Sequence, residues 1–370
     1  MRLVPITLCR PGMRLGKRIL SEDGIVLLGE HVELTEKLIF RLGQCGINFV
    51  YIEDSLTSDL VIPELISDET RIRALEKIRT TFKDMMNAPK LRGGVTYPYI
   101  AKQFKQVLAM VMDEIGTHKD AMIMLMNIGV VDSYLFQHSL NVCIYTTLLG
   151  MAHGYKHEEL MTLGLGALLH DVGKTQVPSS ILFKPGGLTE QEFAEMKRHT
   201  EHGFQLLKDE PNIPLIVAHC AYQHHERLDG SGYPRGIRGH EIHEYAKWIG
   251  LVDSYDAMTT SRVYRAPMLP HQAIEELYVG TGTLYEQSMV QLFRDKVVIY
   301  PVGLMVQLNT GDSGVVVDTN ATYPHRPIIR ALYNEAGETL SVPYEIDLSI
   351  HLSTMIVKVN FSDAGMPAEV

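Results

Sequence analysis

The sequence predicts a mainly α-helical protein with a small α/β module at its N-terminus and a small β-rich appendage at its C-terminus. Three observations carry this. Between residues 131 and 295, apolar residues recur at helical spacing in one segment after another, with short Gly/Pro breaks. Residues 1–60 combine short extended runs with one cappable helix. Beyond residue 295, runs rich in Val and Ile are separated by NTGDSG and NEAGE, the pattern of antiparallel strands joined by turns. A chain of 370 residues suits two or three cores. The boundaries expected are 1–60 for the N-terminal module, 61–118 for a helical linker region, 119–295 for the central helical domain and 296–370 for the appendage and tail.

In order along the chain, RPGMRLGKRIL and GIVLLG read as extended stretches around the turn SEDG. Thr35 caps the helix EKLIFRLGQC, which stops at Gly46, and the strand INFVYI follows. ETRIRALEKIRTTFKDMM forms a helix broken by NAPKLRGG, and a second helix runs from Tyr99 through Ile115. Such helices either pair two subunits or pack within one chain. The central helices are SYLFQHSLNVCIYTTLLGMA, HEELMTLGLGALLHD, TEQEFAEMKRHTEHGFQLLKD, PLIVAHCAYQHHE, HEYAKWIGLVDSYDAMTT and HQAIEELY, with Thr189 and Glu192 forming a capping box on the third. VVIYPVG, MVQLNT, SGVVVDTN, RPIIRALYN and TMIVKVNF are the expected strands of the appendage.

Composition excludes several classes. A net charge of −10 provides no basic field for DNA. No apolar run reaches the roughly 20 residues of a membrane span, and MRLVPITLCRPG lacks a signal-peptide core. Cys9, Cys45, Cys143 and Cys220 form no CxxC pair, which argues against a zinc ribbon or disulfide framework and for a reducing cytoplasm.

Histidine is the informative residue. Of 16 histidines, eleven fall between His138 and His243. His138 shares an apolar stripe with Leu135, Val142, Tyr145 and Leu149, and His199 sits likewise with Met196 and Gly203. Asp171 ends an apolar helix, and Asp253 and Asp256 share a helical face. Singly, each is an ordinary core histidine or helix-end aspartate. Buried carboxylates, however, cost much unless paired or metal-bound. Inward His and Asp in one helical domain with few lysines therefore point to a shared divalent-metal site, of the N/O type that suits Fe, Mn or Zn. A bridging carboxylate would hold two ions roughly 3.5–4 Å apart.

His138, HDVGK (170–174), MKRH (196–199), HHERLDGSGYP (224–234) and VDSYDAMTTSRVYR (252–265) together resemble the HD-GYP family, HD-superfamily phosphodiesterases acting on cyclic di-GMP. The likeness covers roughly residues 120–290, and RPGM and YPVG (300–303) resemble appendages around such domains. It implies an all-helical HD-type bundle with metal ligands His138, His170, Asp171, His199, His224, His225 and Asp253, Asp171 being the bridge. Lys174 would reach a phosphate oxygen or the attacking water, and Tyr233 would shape the substrate pocket. Arg262 and Arg265 would meet phosphates, and Asp256, counted with these substrate-binding residues, would support the site from beside Asp253. Family members with a third metal carry a glutamate where this chain has Tyr134, so the resemblance implies two divalent ions, Fe or Mn first, with Zn, Ni or Mg possible in a preparation.

The function implied is hydrolysis of cyclic di-GMP to linear pGpG or GMP by a metal-bridged hydroxide. The alternatives are a phosphodiesterase for cyclic GMP-AMP or another nucleotide, and a low-activity sensor that docks a partner such as a diguanylate cyclase. Homodimerisation through the helices before the central domain is a further expectation.

Overall fold

The computed structural model describes residues 1–21, 25–63, 65–87, 99–117, 134–260, 268–320 and 322–359. They fall into two compact units, one from the described residues of 1–65 and 294–370, the other from those of 66–119 and 132–293.

In the first unit, strands β1 (Arg2–Pro5), β2 (Ile19–Leu20), β3 (Val26–Leu28) and β4 (Phe49–Ile52) surround helix α1 (Glu36–Gln44). The Leu38 N–H donates to Thr35 Oγ1 at 3.3 Å, so the predicted N-cap forms. Gly46 adopts φ +76° just past the helix end, a conformation in which a Cβ is strained. β1 and β4 pair antiparallel with Leu3 opposite Tyr51 and Val4 opposite Val50. Side chains alternate across such a ribbon. Val4, Val50 and Ile52 join a local core with Leu15, Leu34 and Leu42.

On the other face, Leu3 and Tyr51 join a core made mostly by the C-terminal strands, including Val306, Val315, Ile329 and Leu348. Those strands, β5 (Met305–Leu308), β6 (Ser313–Asp318), β7 (Ile328–Tyr333), β8 (Thr339–Asp347) and β9 (Ile356–Val359), form one antiparallel sheet in the order β8-β7-β6-β5-β9. Local periodicity did not reveal this shared core. β8 also escaped sequence reading, because it is an edge strand, largely exposed and interrupted by Pro343. VVIYPVG, expected as a strand, is a turn instead: Gly303 has φ +90° and its carbonyl accepts from Leu3 N–H at 2.9 Å.

In the second unit, α2 (Asp68–Asn87) buries Ala74, Leu75, Ile78, Phe82 and Met85 at helical spacing. Phe82 meets Phe104 of α3 (Tyr99–Thr117) at 5.8 Å and Phe136 of α4 (Tyr134–His153) at 5.9 Å. The apolar face of α2 is thus covered within its own chain. α5 (His157–Leu169) is buried from Leu163 to Leu169, and His170 and Asp171 lead into a 3-10 turn, Val172–Gln176. α6 (Ser179–Leu182) follows.

The expected single helix 189–209 is broken at Arg198 into α7 (Glu190–Lys197) and α8 (His199–Leu207). The capping box is present, with Thr189 N–H donating to Glu192 Oε2 at 2.7 Å. α9 (Leu215–Gln223), α10 (Glu244–Thr259), α11 (Pro270–Val279) and α12 (Gln287–Lys296) complete the helices of the described residues. A Cβ on Gly173 would stand 1.9 Å from the His199 carbonyl oxygen, so the turn after Asp171 lies directly on α8. Only glycine permits that approach.

Candidate metal centre

Five elements deliver the site. α4 supplies His138, the end of α5 supplies His170 and Asp171, α8 opens with His199, α9 ends at His224 and His225, and α10 carries Asp253. All but His225 are buried. The seven side chains converge around Asp171. Its Oδ2 stands 3.5 Å from His138 Nε2 and 3.4 Å from His170 Nε2. Its Oδ1 stands 3.4 Å from His199 Nε2 and 3.8 Å from His224 Nε2. Asp253 straddles the same divide, with Oδ1 3.1 Å from His138 Nε2 and Oδ2 3.7 Å from His225 Nδ1. Two donor groups result, His138–His170–Asp171 and Asp171–His199–His224–His225, sharing Asp171.

Backbone carbonyls fix the ring states. Nδ1 of His170 donates to Ala167 O at 2.7 Å, Nδ1 of His199 to Met196 O at 2.7 Å, and Nδ1 of His224 to Ala221 O at 3.0 Å. A carbonyl only accepts, so each Nδ1 holds a proton, and a ring without a second proton presents a bare Nε2 lone pair to the interior. Burial pushes His199 down to about 4, and burial reinforced by neighbouring imidazoles puts His224 well below the usual histidine range; His225 is also low, by burial and the adjacent His224. The Nε2 atoms of His199 and His224 nevertheless face each other at 3.3 Å. Beside them Asp171 Oδ1 is buried without a hydrogen-bond donor. Burial raises the Asp171 carboxyl, but Lys174 and His170 outweigh it and keep it ionised. Converging lone pairs around an unpartnered carboxylate oxygen are repulsive unless a cation lies among them. The donor set therefore fits a divalent metal.

The His138 side is different. Burial pushes its imidazole down, yet the Asp253 and Asp256 carboxylates hold it up at about 9. Asp256, expected to support the site from beside Asp253 and counted with the substrate contacts, is buried behind His138, accepting from His138 Nδ1 at 2.7 Å and from Asn141 Nδ2 at 2.8 Å. Sequence reasoning missed Asn141, one turn beyond His138, because an Asn on a buried helix face has no distinctive spacing.

Lys174 Nζ donates to Asp171 Oδ2 at 2.5 Å and is partly exposed. Tyr233 stacks on His225, ring centroids 4.6 Å apart and planes at 28°. Its loop is held by Glu226, which is buried and accepts from the N–H groups of Arg235 at 2.9 Å and Ile237 at 3.1 Å. Gly232 is forced by space: a Cβ there would stand 2.4 Å from His225 O. Arg262, Arg265 and the Tyr134 side chain lie outside the described residues.

Residues 112–289 match the family described as HD domain, and residues 305–363 match the KOW domain associated with HD domain. The chain is 32% identical over 239 residues to the cyclic di-GMP phosphodiesterase PA4108 of Pseudomonas aeruginosa, covering 64% of this chain and 57% of that protein. It is 43% identical over 129 residues to a cyclic di-GMP phosphodiesterase of Thermotoga maritima, 34% of this chain and 35% of the relative. It is 35% identical over 156 residues to 3'3'-cGAMP-specific phosphodiesterase 2 of Vibrio cholerae, 42% of this chain and 30% of the relative. The chain thus spans a little over half of the first relative and about a third of the others.

Proposed function

Because residues 112–289 place this chain in the HD-domain family, we propose that it is a metal-dependent phosphodiesterase that hydrolyses cyclic di-GMP to linear pGpG or GMP. The observation that carries the reading is the pair of bare Nε2 atoms, His199 and His224, facing the unpartnered Oδ1 of Asp171. Two divalent ions, Fe or Mn, would be held by His138, His170, Asp171 and Asp253 on one side and by Asp171, His199, His224 and His225 on the other. When bound, such ions supply Lewis acidity, polarising a phosphodiester and acidifying water at neutral pH.

The chain's own groups do the rest. Asp171 fixes the two donor groups in register through its two oxygens. Lys174, held on Asp171 at the partly exposed edge, places an ammonium where the leaving 3′-oxygen needs a proton or a positive charge. Tyr233, packed on His225, closes one wall and keeps water from that ring face. Asp256 holds the His138 proton on Nδ1, leaving Nε2 directed inward. Arg262 and Arg265 complete the reading as phosphate contacts.

The test is direct. Metal-loaded protein incubated with cyclic di-GMP should yield linear dinucleotide or GMP, and loss of product on chelation should reverse on adding Fe or Mn. No product from wild type, with bound metal verified, overturns the reading. The relative specific for 3'3'-cGAMP supports a second reading that differs in the bases alone, decided by running both dinucleotides in competition. A cytoplasmic location is part of the proposal, supported by Cys143 and Cys220 standing as buried free thiols. A homodimer through α2 and α3, or docking of a diguanylate cyclase, would use the exposed face of α2, since its apolar face is already covered.

A further inference from the structure

We propose that Phe193 and Lys197 form a nucleobase platform beside the metal centre, stacking one purine of a cyclic dinucleotide on the Phe193 ring while the Lys197 ammonium meets its non-reacting phosphodiester. The inference rests on the phosphodiesterase reading for its ligand, and on three contacts for its geometry. Phe193 is 47% exposed on α7. Lys197 Nζ stands 4.7 Å from the Phe193 ring centroid and 5.3 Å from that of Tyr233. Tyr233 in turn stacks on His225 of the donor set at 4.6 Å. A Phe–Lys pair four residues apart is by itself an ordinary helix-surface contact. Here the same ammonium also spans to the Tyr233 loop, so the pair continues the wall of the metal centre outward.

The charge pattern singles out Lys197. Lys174 is paired with Asp171, Lys184 with Glu192 and Arg198 with Glu195. Among the described residues no carboxylate pairs with Lys197, which is held over aromatic faces alone and is half-buried. A cation kept this way gives up no ion pair when a phosphate arrives, and an exposed aromatic face beside it accepts a base of any sequence by stacking.

Fluorescence tests the platform apart from turnover. The chain's one tryptophan, Trp248, is 1% exposed, so the indole introduced by Phe193→Trp is the responsive reporter. Titration with GMP and with cyclic di-GMP should quench it, and ribose 5-phosphate, which lacks a base, should not. In steady state, Phe193→Leu should raise KM for cyclic di-GMP roughly tenfold with a much smaller change in kcat, and Lys197→Gln should raise KM and weaken its dependence on salt. An indole that neither nucleotide quenches, or a Phe193→Leu protein with unchanged KM, overturns the platform while hydrolysis by wild type leaves the function standing. Quenching by a wild-type-like fold that hydrolyses nothing overturns the function and leaves the platform as a nucleotide-binding surface.

Discussion

The two halves of the histidine cluster, one on each oxygen of Asp171, meet the same crowding of donors in different ways. On the Oδ2 side, His138 lies between the Asp253 and Asp256 carboxylates, which hold it protonated to about 9, so one proton already offsets part of the negative charge. On the Oδ1 side, His199, His224 and His225 are all driven neutral, and no proton is available to relieve their convergence. The first half is self-compensated without metal; the second is not. The general lesson is that a metal site can be recognised by which of its lone pairs the protein leaves without a proton.

That contrast can be broken at its shared residue. Asp171→Ala should empty both halves, taking metal content to near none and activity down by more than about 10³-fold, beyond the 10–100-fold typical of supporting residues; elemental analysis beside turnover checks it, and retained metal would show that the halves do not depend on a common bridge. Lys174, which contacts only the Oδ2 side, should behave differently. Lys174→Ala should lower kcat by about 10²–10⁴-fold with metal content retained, and a loss of metal would make the lysine a structural partner of Asp171.

Asp256→Asn should act on the His138 half alone. It should weaken metal binding on that half by about 10–100-fold and leave binding on the Oδ1 half unchanged, as read by competition with a chelator. The smallest effect is on the stability of the metal-free protein against pH. A histidine whose folded pKa is lowered, as for His199, His224 and His225, loses stability as pH falls below about 6.5. His138, whose folded pKa is raised, contributes stability that is complete below about 6.5 and is lost as pH rises through about 9. The Tm of chelated protein should therefore fall on both sides of about pH 6.5, each limb reporting one half. Asp256→Asn should flatten the alkaline limb and spare the acid one.

Much of the site was legible because histidines on apolar helical stripes are rare enough to notice together, and because HHERLDGSGYP and HDVGK carry a family signature. What stayed hidden is set by three-dimensional backbone placement. Nothing in the sequence says that Ala167, Met196 and Ala221 offer the carbonyls that fix the ring protons. Spacing put Asp253 and Asp256 on one face, yet a helix face that passes through a crowded core touches different groups at successive turns, so Asp253 meets the donors and Asp256 the back of His138. Gly173 and Gly232 answer to contact with the backbone at His199 and His225. In the other unit, the strands were mostly recognised and their association was not, since no local period records that Leu3 packs with Val306.

That pairing of the chain's two ends has a consequence for synthesis. The β1–β4 ribbon can bury Val4 and Val50 against its own module as soon as residues 1–65 leave the ribosome. Leu3 and Tyr51, on the opposite face, share their cluster with Leu60 and Ile62 of the same segment, but most of that cluster comes only when the segment from Val302 to Leu348 emerges. At translation rates of about 5–20 residues per second, that is a wait of roughly 15–60 s. For that interval the nascent chain displays a half-finished sheet surface while the whole histidine-bearing bundle is being made, so strands made after the bundle complete a ribbon made before it.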